Sequence, residues 1–506
     1  MPVLAVARTV SSLTAAIAMV LGCAAPVTAP GGSPITVPLS LVSIDAAQVL
    51  ATVPPTALGV NASVSDEFLA GDAVAERLLQ AKIRILRYPG DQTADLYQFD
   101  RHAWTAGVEP TPWLAPNATF DDLLRLVTDS DAQALITVNQ RTNAEGTGPA
   151  DPQQAAAWVE RANEANARGV HYWEIGDGPA GRAEAGPRRP SHPLEAPSPE
   201  AYVEHVRALV AAMREQDSSI EIGLPLEVPA EGSDHTAEEW NALVLPGLCS
   251  DIDFVTLRFR PPPPAEDATD GPLGARASIP TTLSALRALL ATHCGARARE
   301  IEVWVTDATV PHAEVDEAAA NAVTASFIAD ATLTWLEQGA ANVSWAALHG
   351  GAASAGRTGQ ALLSNGTCSD YLDANRWPKG GASEKPPCAP PLDTPQPAWH
   401  ALELVSQLGE PGDELVTAVS NDDRVVSHAI HQVDGQLAVL IINQSRSESV
   451  VTTVSIAGFT AAGSGEFLSY GSGSEAVTEA RVSDIGTTFV LYAAPQSLNA
   501  VILDSK

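Results

Sequence analysis

Positive charge is what this sequence has least of: 29 lysines and arginines stand against 61 aspartates and glutamates, a formal net charge of −32 over 506 residues. A field of that sign repels phosphate backbones and anionic lipid surfaces, which excludes nucleic acid as a partner. Cysteine is scarce, five in all, and no Cys-x-x-Cys or His-x-x-x-His spacing accompanies it, so no zinc site is expected. Eleven histidines are scattered without ligand spacing, and neither a metal nor a cofactor is expected. No stretch beyond the N-terminal region approaches the ~18 uninterrupted apolar residues of a membrane-spanning helix. A nucleophile elbow is missing too, since the nearest tripeptide, Gly463-Ser464-Gly465, fails on spacing.

What is present begins with one charge, Arg8, an apolar run over residues 10–21 and the tetrapeptide Val20-Leu21-Gly22-Cys23. This is the layout of a signal peptide, residues 1–22, and it implies an exported protein. Small residues ending in Cys resemble the bacterial lipoprotein box, which makes Cys23 a lipid anchor, the only membrane contact expected, and residues 23–35 a flexible tether. The chain then reads as a cell-envelope lipoprotein; the alternative is a secreted protein cut near Ala25 or Ala29. The other four cysteines are an even number in an oxidising compartment and allow three pairings. Cys249 with Cys294 and Cys368 with Cys388 is the favoured arrangement, the second pair closing the loop between residues 350 and 397.

From residue 57, short β-branched and aliphatic runs alternate with segments of helical period. Eight strands are expected at 57–61, 83–88, 134–139, 171–176, 220–224, 254–259, 301–306 and 342–348, with helices at 71–80, 152–168, 199–216, 281–293 and 316–338. Eight βα units make an α/β fold, a (β/α)8 TIM barrel over 57–396. The absence of a glycine-rich phosphate loop after the first strand disfavours an open doubly wound sheet. After Pro397 the texture turns to alternating strands, such as 436–443 and 450–456, which predicts an all-β sandwich over 397–506. The N-terminal strand segment, 36–56, has no barrel role and is expected to join that sandwich.

In such a barrel the loops at the C-terminal ends of the strands carry function. They hold Arg87-Tyr88-Pro89-Gly90-Asp91, Asn139, Gly176-Asp177-Gly178, Arg258-Phe259-Arg260 and Thr306-Asp307. Trp104 and Trp113 are the loop-borne candidates for stacking on sugar rings, whereas Trp173 and Trp345 sit in or near strands and read as core.

Several of these segments resemble the alpha-L-arabinofuranosidases of glycoside hydrolase family 51. Arg87-Tyr88-Pro89-Gly90 looks like the family's Arg-Tyr/Trp-Pro-Gly-Gly, and Tyr172-Trp173-Glu174-Ile175-Gly176 looks like its strand 4, which runs into Gly-Asn-Glu. Asp253-Phe254-Val255-Thr256-Leu257 is similar to its strand 6, which continues as His-x-Tyr-Pro, and Val303-Trp304-Val305-Thr306-Asp307 resembles the strand 7 that ends in Thr-Glu. The resemblance implies retaining glycoside hydrolysis by two glutamates, an acid/base after strand 4 and a nucleophile after strand 7, ~5 to 5.5 Å apart.

At those two positions this chain has Gly178 and Asp307. Glycine has no proton to give, and aspartate is one methylene shorter, which withdraws the attacking oxygen by ~1.5 Å. Arg258 and Arg260 stand where the family has His and Tyr, and Asp91 replaces the second Gly of the early motif. Two functions follow as expectations: a catalytically degenerate, carbohydrate-binding relative, or a weak retaining glycosidase with Asp307 as nucleophile and Asp177 as acid. Arg87, Asp91, Arg258 and Arg260 belong either to structural charge compensation with Asp177 and Asp307 or to a site for an anionic sugar, with Asn139 as a further contact.

Overall fold

The computed structural model describes residues 40–90, 94–108, 113–165, 169–178, 197–227, 236–261, 275–311, 317–350, 361–366 and 390–506. Cys23, Asp91, Cys368 and Cys388, together with the leader and tether, lie outside the described residues.

The first described element is a long strand, β1 (Ser40–Thr52), and the barrel begins at β2 (Leu58–Asn61). Then come α1 (Asp72–Gln80), β3 (Ile85–Tyr88), the small hairpin of β4 (Tyr97–Gln98) and β5 (Ala103–Trp104), α2 (Phe120–Asp129), β6 (Gln133–Val138), α3 (Pro152–Ala165) and β7 (Tyr172–Ile175). The second half of the barrel is α4 (Pro199–Gln216), β8 (Glu221–Pro225), α5 (Thr236–Leu248), β9 (Phe254–Phe259), α6 (Ala275–Cys294), β10 (Glu302–Ala308), α7 (Glu317–Glu337) and β11 (Asn342–Trp345). The pair β12 (His349–Gly350) and β13 (Leu363–Ser364) and helix α8 (Pro397–Leu408) lead out of it. The C-terminal region is β14 (Glu414–Ser420), β15 (Val425–His431), β16 (Leu437–Asn443), β17 (Val450–Ala457), β18 (Ala461–Gly471), β19 (Thr478–Ser483), β20 (Thr488–Ala493) and β21 (Ser497–Ser505).

Strands β2, β3, β6, β7, β8, β9, β10 and β11 close into a parallel barrel in that order, so the eight expected strands are its staves. Helices α2 and α5, not expected from periodicity, complete the ring. α2 is only 10 residues long and begins with a reciprocal capping box between Thr119 and Asp122, a local device that stabilises a helix by about 1 kcal/mol. α5 carries Pro246 inside it, which breaks the apolar pattern. Cys249, the residue just past α5, is joined to Cys294 at the end of α6 by a disulfide, Cα to Cα 5.4 Å.

The barrel interior is layered by the two-residue period of its strands. Ile85, Leu135, Tyr172, Phe254 and Trp304 form a closed apolar plug, in which Tyr172 and Trp304, on strands that are not neighbours, meet with ring centroids 4.8 Å apart. Two residues further along the same strands come Arg87, Thr137, Glu174, Thr256 and Thr306, a polar layer that is also buried. The core thus changes from aromatic to ionic in one step, toward the end where the loops lie.

β1 pairs antiparallel with β14 and parallel with β17, which draws the N-terminal segment into a nine-stranded sheet ordered β19-β18-β21-β16-β15-β14-β1-β17-β20. Curled on itself, this sheet encloses a core of its own that includes Val42, Val416, Val439, Val454 and Val501. Its opposite face, with Val426, Ile430, Leu440 and Ile442, belongs to the same apolar cluster as α7 and α8. β15 and β16 are therefore buried on both faces; β16 reads as an apolar run over residues 437–442, whereas β15 carries Ser427 and His428 among its apolar residues.

Candidate functional site at the barrel mouth

The polar layer is an ion-pair network. Arg87, on β3, is buried, donates from Nε to Glu174 Oε2 at 2.8 Å, and places Nη2 2.6 Å from Asp177 Oδ1. Glu174, on β7, also accepts from Thr137 Oγ1 at 2.7 Å and Thr306 Oγ1 at 3.0 Å. Burial alone would favour a neutral Arg87, but the charges of Glu174, Asp177 and Asp307 outweigh it and hold the guanidinium firmly protonated. Glu174 was not among the residues expected at the site. Its signal was a carboxylate inside an otherwise apolar strand, which is tolerated only when paired.

Asp177 and Gly178 follow Gly176, whose φ of +84° turns the chain sharply at the end of β7. The Asp177 carboxylate is fully engaged: Oδ1 by Arg87, Oδ2 by Nη2 of Arg258, which also donates to the Asp177 carbonyl. Burial pushes its pKa up to about 7 while Arg258 and Arg87 pull the other way. With a guanidinium on each oxygen, neither is left to carry a proton.

A β-bulge in β10 sets Asp307 beside Arg258, whereas regular pairing would face it with the next residue of β9. Asp307 Oδ2 accepts from Arg260 Nη2 at 2.9 Å and lies 4.0 Å from Arg258 Nε; Oδ1 is 3.5 Å from Asn61 Nδ2. Burial works against its charge, but Arg260, Arg87 and Arg258 together hold its carboxyl below the usual range. Three guanidiniums, of Arg87, Arg258 and Arg260, thus meet three carboxylates, of Glu174, Asp177 and Asp307.

Gly178 completes the picture. A Cβ built on it would lie 3.3 Å from Nη2 of Arg258 and 3.7 Å from the central guanidinium carbon. The Arg258 guanidinium therefore fills the space between position 178 and the Asp307 carboxylate. Nη2 points to Asp177, and Nε, buried and without a hydrogen-bond partner among the described residues, faces Asp307.

The remaining candidates lie around this centre. Asn139 is buried and holds a loop: its Oδ1 accepts from the backbone N–H groups of Arg141 and Thr142 at 2.9 and 3.1 Å, and its Nδ2 donates to the Tyr97 carbonyl. Trp104 is half-buried and packs edge-on to Tyr97, ring centroids 6.0 Å apart. Trp113 is 62% exposed, and its carbonyl is fixed by Ser65 Oγ at 2.7 Å, in the loop that leaves β2. Trp173 and Trp345 are buried, with indole N–H groups bonded to Val170 O and Thr332 Oγ1. Two buried groups went unread in the sequence. Asp95 accepts from the Gln140 N–H at 3.1 Å and braces the loops after β3 and β6, and His349 lies between Asp66 and Asp393. Among the described residues no group of His, Cys, Asp and Glu is arranged to hold a metal ion, and no helix is long and apolar enough to cross a membrane.

No family model matches the chain, and no curated protein sequence does. Solved structures do. The alpha-L-arabinofuranosidase from Thermotoga maritima superposes with a TM-score of 0.65 at 14% identity, covering 92% of this chain and all of that one. The family 51 alpha-L-arabinofuranosidase from Thermotoga petrophila gives 0.66 at 14% identity with the same coverage. A family 44 xyloglucanase from Paenibacillus polymyxa gives 0.61 at 11% identity, again over 92% of this chain and all of that one. At such identities the likeness is one of fold, and it establishes that this chain has the barrel-and-sandwich architecture of glycosidases in two families.

Proposed function

We propose that the chain is an exported glycosidase-like protein that binds carbohydrate without hydrolysing it. One observation carries the reading: a guanidinium, that of Arg258, occupies the gap between position 178 and Asp307. In a retaining glycosidase that gap, ~5 to 5.5 Å between carboxyls, receives the anomeric carbon, where positive charge develops in the transition state. Here a permanent cation stands in that place, the acid/base side chain is missing, and Asp307 is clamped by Arg260. Carbohydrate is the ligand class because the architecture is shared with arabinofuranosidases and a xyloglucanase, and because Trp113 offers an exposed aromatic face beside the loop that leaves β2. Export and anchoring at Cys23 rest on the leader pattern; the Cys249–Cys294 disulfide fits an oxidising compartment. The arginines balance the carboxylates one for one, which favours charge compensation over a dedicated site for an anionic sugar.

A second reading has one observation in its favour. Asp177 is pushed up to about 7 and Asp307 is held low, the split that separates an acid from a nucleophile. Activated aryl arabinofuranosides, xylosides and glucuronides distinguish the two, because good leaving groups need no protonation. The non-hydrolytic reading expects no turnover above background and no covalent adduct with a fluorinated mechanism-based sugar. Turnover by the wild type that disappears in Asp307→Ala would replace it with the weak glycosidase.

A further inference from the structure

His428 lies at the centre of the junction between sheet and barrel, fully buried on β15, the strand with apolar neighbours on both faces. Its Nδ1 is 2.7 Å from Glu337 Oε1 and its Nε2 is 3.1 Å from Asp330 Oδ1. Both carboxylates belong to α7, seven residues and so two turns apart on one face of that helix. A neutral imidazole has one N–H and one bare lone pair, so it can satisfy only one of the two oxygens. Facing the other with a lone pair at hydrogen-bonding distance would place two acceptors together in a dry interior, which is strongly unfavourable.

The arrangement closes when the ring carries both protons. Asp330 accepts further from Thr334 Oγ1 and Gln444 Nε2, both at 3.2 Å, contacts that suit an ionised carboxylate. Among the described residues the neighbouring strands and α8 place no further charged side chain against the ring. β16 presents Leu440 opposite His428 and ends near the uncharged Gln444, and β14 carries only Leu, Val, Thr and Ala over residues 415–419. On α8, His400 and Glu403 pair with each other at 3.2 Å.

We propose that a proton held on His428 staples the C-terminal sheet to the barrel, so that docking of the two is tightest on the acid side of neutrality and loosens as that proton leaves. The free imidazole titrates near ~6.5, and both carboxylates stabilise the charged form in the folded chain. A group whose folded pKa is raised contributes its full stabilisation below the unfolded pKa and loses it as pH rises through the folded one. The staple therefore holds while the ring keeps both protons and opens as pH rises and the second one leaves. A pH drop is then an assembling signal for the two halves of the molecule, independent of what the barrel mouth binds.

The test uses the full chain. In the wild type, nitrogen-detected NMR of the histidine rings at about pH 7 should show His428 with both nitrogens protonated. Observation of a neutral tautomer there overturns the proposal, and this measurement requires no variant to fold. In His428→Gln, the unfolding temperature should be lower by several degrees at about pH 6, and the gap to wild type should narrow toward about pH 9. A gap that stays constant across that range, or one that widens, also overturns it.

Discussion

Nη2 of Arg258 lies 3.3 Å from the point at which a side chain on Gly178 would begin. The two positions are coupled: the absence of a side chain at 178 makes room for the guanidinium, and a side chain placed there would press on it. A Cβ at that distance needs Arg258 to give way, and a glutamate placed there would form an ion pair with it. Gly178→Glu with Asp307→Glu should therefore remain inactive toward an activated aryl arabinofuranoside. Adding Arg258→His and Arg260→Tyr, which clears both guanidiniums, should raise turnover above background. Hydrolysis by the two-glutamate variant with both arginines in place would show that Arg258 is no obstacle.

Arg87 supports the network from below. Arg87→Met leaves the buried Glu174 without a cation and Asp177 with Arg258 alone, and loss of one partner of a buried pair costs about 3–5 kcal/mol. Chemical denaturation should register a loss of that order. Arg87→Lys should recover little of it, because an ammonium cannot reproduce a fork that reaches Glu174 through Nε and Asp177 through Nη2.

The barrel was legible in the sequence because its strands are buried on both faces: residues 134–138 and 303–305 form short, mostly apolar stretches within β6 and β10. Charged positions after the strands were legible for a simpler reason, since fold topology alone places them at one mouth. Partners were not. That Arg258 would lie between Gly178 and Asp307 depends on the bulge in β10, which has no signature in residue type, and on the turn at Gly176, whose glycine allows a positive φ but says nothing of the partner. Glu174 and His428 were hidden in another way: each sits in a strand whose neighbours dominate the pattern, and each is neutralised by residues 87 or more positions away. Long-range pairing has no period to read.

His349 offers a second pH-dependent contact. Nδ1 is 2.7 Å from Asp66 and Nε2 is 3.0 Å from Asp393, so it ties the loop after β2 to the segment that precedes α8. Burial opposes its charge, but the two carboxylates prevail and raise its pKa. Its contribution is then complete below the unfolded value, about 6.5, and is lost as pH rises through the folded one. His349→Gln should destabilise the chain at about pH 6 and much less at about pH 9, as followed by thermal unfolding in matched buffers.

The disulfide joins residues 45 apart, and a loop of that length restricts the unfolded chain by about 4 kcal/mol in the chain-entropy model. Since the cross-link ties α5 to α6 at the helix ends, its removal should leave the mouth intact. Cys249→Ala with Cys294→Ala is expected to lower stability by about 2–4 kcal/mol while ligand binding is retained. Equal stability with and without reductant would assign the bond no role in holding the barrel.

Trp113 separates binding from folding more cleanly than any residue of the ion-pair network. At 62% exposure its ring has little packing to lose, and its anchorage is through the backbone carbonyl that Ser65 holds, so Trp113→Ala should shift stability by no more than about 0.5 kcal/mol. If the ring is a platform for a sugar, the same change removes a large apolar face and should weaken glycan binding roughly tenfold, as about 1.4 kcal/mol would. The comparison is made on one set of glycans with wild type, Trp113→Ala and Trp113→Phe. Recovery by phenylalanine marks stacking on the ring. Undiminished binding by the alanine variant places the ligand elsewhere and leaves Trp113 an ordinary exposed side chain.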